Sequence, residues 1–394
     1  MNIILFDDYS RADLFPLTLT RPIGALRIGI LTIAEKWALI SGLPVSYHTE
    51  EYLLPKFHTQ LADDNILINA KVLPDIQLWA SIQALAKDEA LGYNNDLLAV
   101  RLGRSSLESG SVFIQQATRT PYIESDPIFI LHVEDLIKHN AHALLADYHL
   151  ITAGRLSESL SADNYIIGDN LFVETGVKCT MATINTSTGP VYIGRDTEIM
   201  EGSHIRGPFA LMNNSTVKMG SKIYGATTIG PYCTVGGEIK NSVLSGYSNK
   251  GHEGYLGDSV LGEWCNLGAD TNNSNMKNTY MPVLIYNYRL KERRATGMQF
   301  LGMIMGDHSK SGINATFNTG TVIGIGVNFF GTSLSPYFLP DFTWAEPSKF
   351  KEYQLEKMLD TARKMMERKN LILNDDEENI LREAFKLTAA YRNY

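Results

Sequence analysis

A chain of 394 residues exceeds what one ordinary hydrophobic core holds, so two or more domains are expected. Its hydrophobic share of 44% and charged share of 20% are those of a globular protein, and a net charge of −8 excludes the basic footprint of a nucleic-acid binder. Cys179, Cys233 and Cys265 have no metal-ligand spacing and cannot all pair, which excludes a disulfide framework and points to free thiols in a reducing cytoplasm.

The first element is MNIILFDDYS, whose short apolar run fits neither a signal peptide nor a membrane span and reads as a buried strand. FPLTLTRPIGALRIGILTIAEKW then leads into a helix, ILTIAEKWALISG, which Gly42 and Pro44 stop. This segment carries Arg21, Arg27 and Lys36, with only Gly24 and Gly29 as backbone relief. Cations at a helix start suit a triphosphate, and the arginines equally suit structural ion pairs. NILINAKVLPD reads as a buried strand ending in Asn69, with Lys71 and Asp75 beyond it. Open α/β sheets bind ligands at the carboxyl ends of their strands, so Asn69 and Asp75 are candidates to face a nucleotide or Mg2+; a turn role explains either equally well. PIFIL reads as a further strand, and FILHVEDLIKHNAHALLADY as a strand-to-helix junction where Glu134 and Asp135 are metal ligands or, preferably, helix-start acids. Alternating strands and helices predict a Rossmann-like α/β domain over residues 1–155.

Near residue 160 helical periodicity gives way to a repeat of six. Ile193, Ile199, Ile205, Leu211, Val217, Ile223, Ile229 and Val235 form an unbroken aliphatic series, which resumes at Leu261 and Leu267 and again at Met305, Ser311, Phe317, Ile323 and Phe329. A period of six fits neither a helix nor simple alternation; it fits a chain that turns a corner every six residues, three sides making one coil of a parallel β-helix over residues 160–346. Polar singletons collect in and beside the interruptions at 241–254 and 273–304: Lys250, His252, Tyr255, Asn266, Asn272, Asn273 and Asn275. Loops placed by a rigid scaffold commonly carry function. Residues 347–394 read as two amphipathic helices capping the open end of the solenoid, with Pro347 near the first start, the acids of LNDDEEN opening the second, and Leu355, Met358, Leu359, Ala362 and Met365 as a packing stripe.

The stretch EIKNSVLSGYSNKGHEGYLGDSVLGEWCNLGADTNNSN, Glu238 to Asn275, resembles without a gap the acetyltransferase half of the bifunctional N-acetylglucosamine-1-phosphate uridyltransferase/glucosamine-1-phosphate N-acetyltransferase family. The resemblance implies a left-handed β-helix that works as a homotrimer, a catalytic histidine at His252, and substrate-binding residues at Lys240, Tyr255, Asn266 and Asn275. At the distance of the family's phosphate-binding arginine stands Lys222, which keeps the charge without the bidentate fork. The front domain lacks the usual glycine-rich loop. Its Thr-Arg-Pro and Leu-Arg-x-Gly elements are similar to the divergent sugar nucleotidyltransferase domain of a Bacteroidetes-type variant, which implies nucleotide binding by Arg21, Arg27, Lys36 and Asn69, with Asp75 for Mg2+.

Acetyl transfer to an amine needs a base for the departing proton and donors for the developing oxyanion. His252 suits the base, since imidazole titrates near working pH and Gly251 and Gly254 leave room for two substrates. Lys222 and Lys240 suit a sugar phosphate; Tyr255, Asn266 and Asn275 suit sugar hydroxyls. The expectation is therefore a cytoplasmic transferase that uses acetyl-CoA, glucosamine-1-phosphate and a nucleoside triphosphate with Mg2+ to make UDP-N-acetylglucosamine or a related nucleotide sugar. The alternatives are an acetyltransferase with an inactive front domain for binding or assembly, and a trimeric structural scaffold. Nucleotide base, amino sugar and acyl length stay open.

Overall fold

Every residue of the six-residue series is buried, from Ile193 to Val235 and on through Leu261, Leu267, Met305, Ser311, Phe317, Ile323 and Phe329. The computed structural model describes residues 1–108, 118–122 and 124–394, and the chain divides there into two units. One comprises Met1–Leu14, Arg21–Leu26 and Leu31–Leu131; the other comprises Phe15–Thr20, Arg27–Ile30 and His132–Tyr394. The helices Asp135–Lys138 and Asn140–Thr152 thus fall with the solenoid, where the sequence reading ran the first domain to 155.

In the second unit the aliphatic series becomes three stacked columns. Ile193 pairs with Leu211 and Leu211 with Ile229, Ile199 with Val217 and Val217 with Val235, and Ile205 with Ile223, in each case 18 residues on. The resulting sheets have six, nine and ten strands and enclose one continuous apolar core. Two departures from the repeat shape the functional region. One coil shortens to 15 residues, pairing Ile229 with Leu244 and Val235 with Lys250. Later the coil leaves the prism between Leu261 and its partner Met305, extruding the antiparallel hairpin Leu284–Asn287/Glu292–Ala295. Arg294 of that hairpin forms a bidentate pair with Glu134 at 2.7 Å, and the Asp135 carboxylate accepts from the His132 N–H at 2.9 Å. Both acids read as possible metal ligands are thus engaged in holding structure.

The C-terminal helices, Leu355–Glu367 and Asp375–Leu387, pack beside the coils rather than only over their end. Met358, Leu359, Ala362, Leu381 and Ala384 join Trp264, Ile325 and Phe342, residues of successive coils, in one apolar cluster. Pro347 lies in the turn of an antiparallel hairpin, Thr343–Glu346 with Lys349–Glu352, and the first helix starts only at Leu355. The second opens with a capping box between Asn374 and Glu377, as its acidic start favours.

The first unit is a mixed sheet. Its strands are β1 (Asn2–Phe6), β2 (Val45–His48), β3 (Asp64–Asn69), β4 (Glu89–Tyr93), β5 (Asp96–Gly103) and β6 (Thr118–Pro121), in the order β2-β1-β3-β5-β4-β6. β1 pairs in parallel with β2 and β3, while β5 runs antiparallel to β3 and β4. Helix α1 (Ile33–Ser41) starts on a Thr32–Glu35 capping box and ends at Gly42, whose φ of 68° is the left-handed conformation glycine adopts without strain. The run PIFIL is no sheet strand: Phe129 makes an isolated bridge to Val72, and the edge positions are taken by β2 and β6.

Candidate functional site

In the first unit, β1 and β3 end side by side, Phe6 opposite Asn69, which carries the next residues to one end of the sheet. Asp7 and Asp8 follow β1 directly. Asp8 pairs with Lys71 at 2.7 Å and accepts from Asn69 at 3.3 Å, and Lys71 also donates to Ser10 at 3.0 Å. Burial raises the Asp8 pKa, but the Lys71 and Ser10 hydrogen bonds outweigh it and leave the carboxyl below its ordinary value. Asp7 is driven the other way. Burial lifts it to about 6 against its bonds from Thr49 and the Ile23 N–H and the charge of Arg11 at 3.3 Å. Two adjacent acids are thus held apart in protonation, the environment that functional carboxylates commonly occupy. Sequence reasoning passed over Asp7, Asp8 and Arg11; the signal was two acids placed at the carboxyl end of a parallel strand.

The residues read as nucleotide ligands are dispersed. Asn69 lies in the cluster just described. Arg21 is buried in the first unit, and Lys36 is buried on α1. Arg27 falls in the second unit, where its Nε donates to the Ser245 carbonyl at 3.2 Å and its Nη1 to the Ile30 carbonyl. Asp75 caps the helix α2 (Ile76–Gln83), accepting from the Leu78 N–H at 2.8 Å. Among the described residues no group of three or more His, Cys, Asp or Glu side chains converges to hold a metal. A Mg2+ ion carried by a nucleotide needs only one or two carboxylates beside the phosphates, and Asp75 fits it to that extent.

The solenoid gathers its candidates more closely. Lys222, Glu238 and Tyr255 are register partners on successive coils of the six-stranded sheet, with Tyr224, Lys240 and Gly257 in the parallel row two residues on. Residues one step off the inward column face outward, so Lys222 and Lys240 are exposed and Tyr255 half-buried. The Asn275 amide donates to the Tyr255 hydroxyl at 2.9 Å and to the Asp258 carboxylate at 2.6 Å, and Asn241 donates to the other Asp258 oxygen at 2.7 Å. Burial, with the charges of Asp258 and Glu238 adding to it, pushes the Tyr255 phenol up to about 12. Lys240 reaches over the Phe300 ring, 5.5 Å from its centroid. His252 stands exposed three residues before Tyr255, at the corner leading into the same strand. Asn266 lies on the ten-stranded sheet, a different face of the prism.

This sheet ends at Tyr255–Gly257, and two asparagines replace the missing next strand. The Tyr255 N–H donates to Asn272 Oδ1 and the Gly257 N–H to Asn273 Oδ1, both at 2.8 Å, while Asn273 returns a bond to the Gly257 carbonyl. Side chains thereby satisfy edge groups that would otherwise be buried unpaired. In DTNNSN, then, Asn272 and Asn273 seal the edge, and Asn275 faces the polar cluster. Asp258 and Asn241 were not singled out from sequence. Asp258 lies three residues after Tyr255 and is visible as a site residue only through its two amide partners.

Residues 3–156 match the family model described as sugar nucleotidyl transferase. Among relatives, the bifunctional protein GlmU of Methanococcus aeolicus is 29% identical over 49% of this chain and 46% of its own length. GlmU of Synechococcus elongatus is 25% identical over 55% of this chain and 49% of its own. A bifunctional sugar-1-phosphate nucleotidylyltransferase/acetyltransferase of Sulfurisphaera tokodaii is 33% identical over 41% of this chain and 39% of its own. The chain spans less than half the length of each of these relatives. The matched sugar nucleotidyl transferase model, these relatives and the parallel β-helix together support a divergent GlmU-like family for the chain.

Proposed function

We propose that the chain transfers an acetyl group from acetyl-CoA to the amine of an amino-sugar phosphate, with glucosamine-1-phosphate as substrate, and couples this to nucleotidyl transfer that yields UDP-N-acetylglucosamine or a related nucleotide sugar. The observation that carries the reading is the outward polar face of Lys222, Lys240, Tyr255 and Asn275, braced from beneath by the buried Asp258, with the exposed His252 at its corner. The lysines hold the phosphate, and Tyr255 and Asn275, oriented by the buried Asp258, meet the sugar hydroxyls. His252 takes a proton from the substrate nitrogen as it attacks the thioester carbonyl. The tetrahedral adduct then collapses, the C–S bond breaks, and the departing thiolate receives that proton from the imidazolium. Asn266 joins from a neighbouring copy in a homotrimer, since its own chain places it on another face. Light scattering that returns a monomer at micromolar concentration overturns this part.

In the front domain a sugar-1-phosphate oxygen attacks the α-phosphorus of a nucleoside triphosphate and pyrophosphate leaves. The cluster of Asn69, Lys71, Asp7 and Asp8 marks the substrate end, Arg21 and Lys36 provide positive charge, and Asp75 would hold the Mg2+ that neutralises the phosphates. A second reading, in which this domain binds without transferring, is favoured by Arg27, whose donors meet carbonyls in the solenoid unit. Two assays on the full chain separate the readings. Thiol release from acetyl-CoA that requires glucosamine-1-phosphate supports acetyl transfer; pyrophosphate release from UTP or dTTP with Mg2+ and a sugar-1-phosphate supports an active front domain, and its absence leaves the second reading.

A further inference from the structure

Lys250 occupies a position built for an aliphatic residue. It is the register partner of Val235, which pairs in turn with Val217, so its side chain enters the apolar interior of the solenoid. It is only 2% exposed. From inside, its Nζ donates to the His252 carbonyl at 2.6 Å. The same loop is pressed from outside: a Cβ at Gly237 would lie 2.8 Å from the His252 oxygen, and one at Gly254, whose φ is 113°, would lie 2.2 Å from the Thr271 oxygen. With its carbonyl drawn inward, the His252 backbone is fixed while its imidazole faces solvent.

Resting on the acetyl-transfer reading above, we infer that Lys250 is a positioning residue that sets the aim of the His252 imidazole by anchoring its carbonyl from within the solenoid core. An ammonium in an apolar column is a burden on the fold. Burial lowers the Lys250 pKa to about 8, against the favourable charges of Glu253 and Asp270. The unfolded chain keeps this proton up to the ordinary lysine range near 10.4, so the penalty is full below about pH 8 and is relieved as pH rises from there toward 10. A residue kept only for stability would not sit here.

The test is Lys250→Met in the full-length protein, which fills the same column with an unbranched apolar chain. The expected result at pH 7 is a melting temperature equal to or above wild type, faster amide exchange at residues 251–254, and an acetyl-transfer kcat reduced by about tenfold or more with KM for the amino sugar changed by less than about threefold, since a small misplacement of a reacting group is that costly. Lys250→Leu, with a different shape, guards against a packing fault and shows the same split. A lower melting temperature in both variants, or a kcat and loop exchange matching wild type, overturns the inference. If wild-type protein shows no acetyl transfer at all, the functional reading fails, and the exchange and melting data still decide whether Lys250 holds the loop.

Discussion

Replacing His252 with alanine lowers acetyl transfer by about 10² to 10⁴-fold, the range in which a positioned general base contributes. The melting temperature stays at the wild-type value. The separation is expected because the imidazole is exposed, and the loop is anchored through the His252 carbonyl rather than through its ring. Steady-state thiol release with saturating acetyl-CoA gives the rate, and thermal denaturation checks the fold. A variant that keeps more than about a third of the wild-type kcat removes His252 from the chemistry.

Ile223→Asp acts on the fold instead. Ile223 is buried between Ile205 and Ile239 on the coils before and after it, so a carboxylate there has apolar neighbours in its own column and no cation built to meet it. The loss is about 3 kcal/mol or more, which for a unit of this size lowers the melting temperature by on the order of 10 °C. Calorimetry or circular dichroism reads it, and an unchanged transition means the column is not the interior. The contrast with Lys250 is instructive: a long chain carries its charge to the His252 carbonyl, while a one-carbon stem leaves the aspartate where it enters.

The solenoid was legible because a six-residue period is the direct record of three-sided coiling, and one aliphatic per side is the least the core requires. Tyr255 and Asn275 were marked by the family resemblance alone, and the structure joins them by a hydrogen bond. Lys250 could not be placed, because the phase itself shifts: counting by six from Val235 points inward at Asn241 and Tyr247, whereas the 15-residue coil turns Leu244 and Lys250 inward. Asn272 and Asn273 looked equivalent to Asn275 for a similar reason, since nothing local tells which amide meets a sheet edge and which meets the Tyr255 and Asp258 side chains. In the front domain, strands β1 and β3 and helix α1 carried their own patterns and caps. The arginine segment did not. Its residues are divided between two units, and Arg27 finds its carbonyl partner at Ser245, a pairing over a separation no local motif encodes.

The central claim is that the face of Lys240, Tyr255 and Asn275, with His252 at its corner, transfers acetyl to an amine. It is tested most directly by free-thiol release from acetyl-CoA with the wild-type protein, comparing glucosamine-1-phosphate with glucose-1-phosphate, which has the same phosphate and lacks the nucleophilic nitrogen. The account predicts turnover with the amino sugar and none above background with glucose-1-phosphate. Equal thiol release from both, or from neither, contradicts it.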